Sequence, residues 1–207
     1  SCDRFLTNNG SGAQVAVTKS TDTPDGFSAS TKWDCTTADT SVAASDYFMI
    51  QHKIEGQNIQ DFAKGTSSAK QFALSFYIKA TKTGVYTIEL EDTDNDRACS
   101  KTITVSDTNW NRYSIIYPAD TTGAFNNDNG GSLTISFWLM GGSNYTSGTL
   151  QTSAWGARVS ANRVSSSNVN AFDSTSNDFY LTGVQLEVGD TVTSFEHRSY
   201  SEELARC

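Results

Sequence analysis

The stretch LTGVQLEVGD, residues 181–190, alternates apolar and polar side chains as a strand does, yet it carries a glycine in its middle and stops at Gly-Asp. Phe179 and Leu181 share one parity, and Val184, Leu186 and Val188 share the other, with the change at Gly183. A one-residue slip sends every later side chain of a strand to the opposite face. An extra residue bulged out at the glycine would absorb the slip and keep both apolar sets inward. One reading is therefore a single long bulged strand over 178–189, central in its sheet. The other is an unbulged strand whose even-numbered residues, Tyr180 through Val188, face inward. Either way the segment is a strand, and the rest of the chain can be read against it.

The same period of two recurs along the sequence. In QFALSFYIKA, Phe72, Leu74, Phe76 and Ile78 fall on one face, opposite Ala73, Ser75, Tyr77 and Lys79. SLTISFWLM repeats the pattern with Leu133, Ile135, Phe137 and Leu139 inward, and YFMIQHKIE with Phe48, Ile50, His52 and Ile54. GVYTIELED contributes Tyr86, Ile88 and Leu90, and WNRYSIIYP contributes Tyr113, Ile115 and Tyr117. QVAVTK, FSASTKWDC and SKTITV are weaker candidates. Such alternation marks half-buried strands. Turn chemistry separates them: Pro24, Asp25 and Gly26 form one turn, and NNG at 8–10 and NGG at 129–131 offer further positive-φ glycines. Eight or nine strands at hairpin spacing predict a sandwich or jelly roll.

Composition agrees. Charged residues are 18% of the chain, against a usual share of roughly 25%; Ser, Thr, Asn, Asp and Gly take their place, as in β proteins with long polar loops. The net charge of −8 and pI near 4.6 would repel a phosphate backbone, so no nucleic-acid partner is expected. No apolar run approaches the 20 or so residues of a membrane span. The first residues do not read as a signal peptide. The chain begins at Ser1 and stops at Cys207 inside a helical pattern, so a piece of a longer polypeptide is expected.

Two regions are not strands. Residues 56–65 read as a short helical turn between glycines. Residues 141–177 form a polar excursion holding Tyr145, Trp155, Arg158 and Arg163; loops beyond roughly 15 residues are usually functional or disordered. At the far end, Ser199 and Glu202 make a capping box, and Glu202 and Arg206 are spaced as a helical pair. The expected organisation is a domain over 1–198 and, from 199 to 207, the start of a helix leading out of it.

Chemical signals are few. There is no G-x-S-x-G, and neither His52, on an apolar strand parity, nor His197, beside Phe195, builds a catalytic triad. EDTDNDR at 91–97 offers Asp92, Asp94 and Asp96 as oxygen ligands, but Arg97 and Ile103 occupy the positions where a calcium loop needs Gly and Glu; a solvated hairpin tip is expected, with no metal and no cofactor. Cys2, Cys35, Cys99 and Cys207 form no C-x-x-C pair and read as free or buried thiols. With 23 acids, some carboxylate pair always has glycosidase spacing, so none can be singled out. Aromatic residues remain. A sugar stacks its C–H face on a ring and needs polar groups around its hydroxyls, so Trp155, Tyr145 and Arg158 are the expected binding residues. Trp33, Trp110 and Trp138 lie in or beside strands and read as core or rim packing.

The closing segment FYLTGVQLEVGDTVTSFEHRSYSEELARC resembles the end of a domain found in tail-fibre and related tail proteins of bacteriophages. The likeness extends through DRF (3–5), TPDGFSAS (23–30), IQHKIEGQNIQDFAKGTSSA (50–69), LSFYIKATKTGVY (74–86), PADTTGAFNNDNGGSL (118–133) and YTSGTLQTSAW (145–155). It implies an all-β, carbohydrate-binding-module-like jelly-roll β-sandwich with a short C-terminal helix, exposed on the virion. It also implies a homotrimer that contacts other tail proteins and a host cell-surface glycan without catalysing a reaction. The alternative is a purely structural fibre, collar or capsid-decoration domain.

Overall fold

The parity change at Gly183 is a bulge. The structure, a computed structural model, describes residues 5–197. In it Asp178–Val188 is one continuous strand running antiparallel to Phe72–Ala80. Thr182 lies opposite Tyr77 and Gln185 opposite Ser75, so Gly183 and Val184 together span the single position of Phe76. Gly183 sits at φ +60°, and a Cβ there would meet Phe27 Cζ at 2.7 Å. Phe179 and Leu181, before the bulge, are buried, and Val184 and Leu186, after it, pack on the same core. Val188 is 39% exposed, so the inward set ends at Leu186. The unbulged reading fails at Tyr180, which lies on the outward parity.

Eleven strands are formed among the described residues: β1 (Phe5–Asn9), β2 (Gln14–Ser20), β3 (Ser30–Thr37), β4 (Tyr47–Glu55), β5 (Phe72–Ala80), β6 (Gly84–Asp92), β7 (Arg97–Val105), β8 (Asn111–Tyr117), β9 (Gly131–Gly141), β10 (Gly156–Ala157) and β11 (Asp178–Val188). Their ladders are antiparallel. They build two sheets, of order β1-β4-β9-β6-β7-β10 and β2-β3-β11-β5-β8. The fold is an all-β jelly-roll sandwich, with β11 at the centre of the five-stranded sheet as its apolar content requires. The 56–65 segment forms two consecutive 3-10 turns, Gly56–Asn58 and Gln60–Phe62. β1 and β10 lack a clear alternation and are not legible as strands in the sequence. The expected helix from 199 lies outside the described residues, as do Cys2 and Cys207.

The inward faces are those of the sequence pattern. Phe72, Leu74, Phe76 and Ile78 of β5 meet Leu133, Ile135, Phe137 and Leu139 of β9 in one core with Trp33, Tyr86, Ile88, Leu90 and Tyr117. Phe76 and Phe137 join the sheets edge to face at 5.0 Å. His52 is half-buried, its ring 5.1 Å from Phe5. Among the expected turns, Gly26 has φ +87°, whereas Gly10, Gly130 and Gly131 do not lie at positive φ.

The outer face of the six-stranded sheet is covered. Residues 142–177 fold back over it, and their first turn is a short helix, Ser143–Thr146. Val169 N donates to Val85 O at 2.9 Å, Thr87 N donates to Asn168 Oδ1 at 2.6 Å, and Ser100 Oγ donates to Arg163 O at 2.9 Å. Beneath this cover a second small core forms from Met49, Trp138 and Val164, with Tyr47 and Tyr145 against it. The outer face of the five-stranded sheet has no such cover over its upper half among the described residues. That asymmetry places the candidate site.

Candidate functional site

The excursion does not present an aromatic platform. Trp155 is only 6% exposed; its Nε1 donates to Pro118 O at 2.8 Å and its ring lies 5.4 Å from Phe72. An indole buries most of its large surface whenever a core is within reach, and here the main core takes it. Tyr145 is half-buried, wedged between Trp138 at 5.4 Å and Tyr47 at 5.7 Å. Arg158 reaches Asp96 at 2.7 Å and Glu91 at 3.2 Å. Each of the three expected binding residues is thus engaged within the protein, and each serves to hold the excursion down. Arg163 does the same more strongly, placing two N–H groups on the buried carboxylate of Glu89 at 2.8 and 2.7 Å. Burial pushes the Glu91 carboxyl up, and Arg163 only partly offsets it.

The open surface is the outward parity of the five-stranded sheet. At its centre Tyr180 lies directly opposite Lys32 of β3 on one side and Lys79 of β5 on the other. Both ammonium groups sit over its ring, at 5.6 and 5.5 Å from the centroid. Trp110, just before β8, meets the same ring edge-on at 6.0 Å. Asp22, from the turn after β2, accepts Lys79 Nζ at 2.6 Å and Trp110 Nε1 at 2.8 Å. Those two bonds, Lys79 first, hold the Asp22 carboxyl below its ordinary range. They also fix the plane of the indole.

One step along the strands, Asp178 stands directly opposite Asp34. Lys32 Nζ approaches Asp178 at 3.1 Å and Asp34 at 3.6 Å, and Tyr180 Oη donates to Asp178 at 3.3 Å. Burial and then the neighbouring Asp34 raise the Asp178 carboxyl, against the pull of Lys32. Burial works against the Lys32 ammonium, but its acidic neighbours, Asp178 first, outweigh it and raise its pKa.

The lower half of the same face is closed by the chain itself. After β11 the chain turns back, and residues 191–197 lie across it. Arg112 Nη2 donates to Thr193 O, Glu196 N donates to Gln185 Oε1 at 2.8 Å, and Thr193 Oγ1 donates to Glu187 at 2.6 Å. Phe195 and His197 lie tilted against Phe27 with ring centroids at 5.0 and 5.1 Å, and Phe27 lies tilted against Tyr77 at 5.2 Å. This aromatic ridge walls off the upper half, leaving a shelf with two half-exposed rings among fixed carboxylates and ammoniums. The shelf can stack an apolar face and hydrogen-bond the polar rim of one ligand at once. Its signal in the sequence is Lys79 on the polar parity of β5, joined by Tyr180 once the bulge at Gly183 is placed.

The EDTDNDR segment is not a fully solvated tip. Residues 93–96 are exposed, but Asp92 is completely buried and is taken by Lys64 at 2.5 Å. Cys35 and Cys99 are free and buried. No helix among the described residues is long and apolar enough to cross a membrane.

No protein-family model and no curated protein matches the sequence. Solved structures do match the fold. The enzymatically active domain of tailspike protein 4 of Bacteriophage CBA120 superposes with a TM-score of 0.50 at 14% identity over 89% of this chain, which spans 19% of that domain's length. A family 11 carbohydrate-binding module from Clostridium thermocellum, bound to a mixed-linked tetrasaccharide, gives a TM-score of 0.47 at 12% identity, covering 90% of this chain and 89% of the module. A CBM4 structure gives 0.45 at 13% identity, covering 89% and 86%.

Proposed function

We propose that this chain is a non-enzymatic glycan-binding module of a bacteriophage tail fibre or related tail protein. It contacts a host-surface glycan through the open half of its five-stranded sheet. The observation that carries the reading is the Tyr180–Trp110 pair, held between Lys32, Lys79 and Asp22 on the half of the face that is left uncovered among the described residues. A pyranose offers such a shelf what it needs: a C–H face for the rings and hydroxyls for the charged groups. The charges are mutually paired before any ligand arrives, so little ordering cost accompanies binding. Likeness to the tailspike fragment supports the fold; the phage setting rests on the resemblance of the sequence motifs. Each site binds weakly, and a homotrimer on the virion multiplies the avidity.

The test is a glycan array probed with intact oligomers. Wild-type protein retains a defined set of glycans, Tyr180→Ala and Trp110→Ala lose them, and Trp155→Ala, if it folds, keeps them. Absence of retained glycans for folded wild-type oligomers, or unchanged retention in both shelf variants, removes the proposal and leaves a role in virion assembly. Incubation with host polysaccharide releases no reducing ends; their appearance would show an enzyme.

A further inference from the structure

The second unusual constellation lies away from the shelf, under the excursion. Lys64 and Asp92 have side chains with 0% exposure, and Lys64 Nζ stands 2.5 Å from Asp92 Oδ2. The amine is aimed by Thr122 O at 2.9 Å and Gly123 O at 2.7 Å. The rings of Phe125 and Trp155 flank it at 5.2 and 5.5 Å. The other carboxylate oxygen, Asp92 Oδ1, accepts Asp94 N and Asn95 N at 3.1 Å each; Asn95 Nδ2 lies 2.9 Å from Oδ2 and 3.2 Å from Oδ1. Asp120 Oδ2 is 3.1 Å from the same Nζ. Burial would raise its carboxyl, but Arg97, at 2.8 and 3.0 Å, and Thr122 N hold it low. Asp120 is therefore a carboxylate placed against a lysine ammonium.

These groups are a nucleophile, an acyl carbon, a base and a set of oxyanion donors, in a site closed to water. We propose that Lys64 and Asp92 condense into an intramolecular amide joining Nζ to Cγ. Asp120 takes a proton from the ammonium, and the amine adds to Asp92 Cγ. Charge develops on Oδ1, where two backbone N–H groups already point, as donors preorganised for an oxyanion do. Asp120 relays two protons in turn from the nitrogen to Oδ2, which departs as water. The nitrogen keeps one hydrogen. Ammonium plus carboxylate gives amide plus water, so no oxidant and no co-reactant is needed. The driving force is physical: a buried ion pair carries a heavy desolvation cost, and the neutral amide removes both charges while water leaves the site. The bond ties the turn before β5 to the end of β6, across 28 positions of sequence.

Intact mass of the denatured full chain is the test. After prolonged incubation at neutral pH, the wild type is lighter than its sequence mass by one water, and digestion yields a branched peptide joining Lys64 to Asp92. Lys64→Met shows the full sequence mass. Asp120→Asn retains both reactants and condenses about a hundredfold or more slowly, the usual loss on removing a general base. A wild type at full sequence mass overturns the proposal. So does a deficit that persists in Lys64→Met, which would place the lost water elsewhere, as at Asp25-Gly26. Unaltered kinetics in Asp120→Asn would overturn the proton relay.

Discussion

Glu89 is a carboxylate with no access to water, and its two oxygens are fully engaged by Arg163 and by Trp138 Nε1 at 3.0 Å. Removing the guanidinium strands that charge. Arg163→Ala is expected to cost about 3–5 kcal/mol, read as a fall in the urea midpoint. Paired with Glu89→Leu the loss shrinks, because the orphaned charge is gone. A second residue-scale prediction concerns Cys99, whose thiol is pushed up to about 11 by burial. It should resist alkylation at mildly alkaline pH in the native protein and react at once on unfolding, as peptide mapping would show. On the shelf, Asp22 is held low first by Lys79 and then by Trp110. Its folded-state pKa lies below the unfolded one, so the contribution is present above the ordinary carboxylate range and lost as pH falls through the lowered value. Lys79→Met should move the Asp22 midpoint upward in an NMR titration. A midpoint that stays put would remove the claim that Lys79 sets it.

At the scale of an element, β11 shows how a strand tolerates a slip. Gly183→Ala forces a positive φ on a residue with a Cβ and drives that atom towards Phe27. A loss of about 1–3 kcal/mol is expected, together with a shift of the Phe27 and Tyr77 ring signals in NMR spectra. The bulge is half legible in the sequence: the parity change allows two readings, and only the pairing with β5 chooses between them. The alternation of β5, β6, β8 and β9 is legible because one face of each meets a continuous core. The excursion is not, for the opposite reason. Its partners, Arg163 with Glu89 and Trp155 with Pro118, are separated by 74 and 37 positions, and nothing periodic announces such pairings. Trp138 on the polar parity of β9 and Met49 on that of β4 are the local hints that the six-stranded sheet is covered. Tyr180 carries the matching hint for the open sheet, but its outward parity is legible only once the bulge is placed.

Across the whole molecule, neighbouring strands are distant in sequence: β1 pairs with β4, β3 with β11 and β4 with β9. Loop closure must precede those contacts, so folding in milliseconds to seconds is expected rather than microseconds. The main core shared by both sheets further predicts that far-ultraviolet circular dichroism and tryptophan fluorescence trace the same denaturant transition. Separate midpoints would mean that the excursion and its small core melt on their own.

The return of residues 191–197 across β11 also sets how the module answers a pull. Tension arriving at residue 197 meets the His197 and Phe195 ring contacts and the Glu196 bond first and the Thr193 bonds after them, and these give way in succession, like a peeled strip. β11 itself is flanked on both sides by β3 and β5, so it must shear along its length before it yields. Pulled from that point, the protein would therefore lengthen slightly, bare the lower half of the sheet beside the shelf, and then hold.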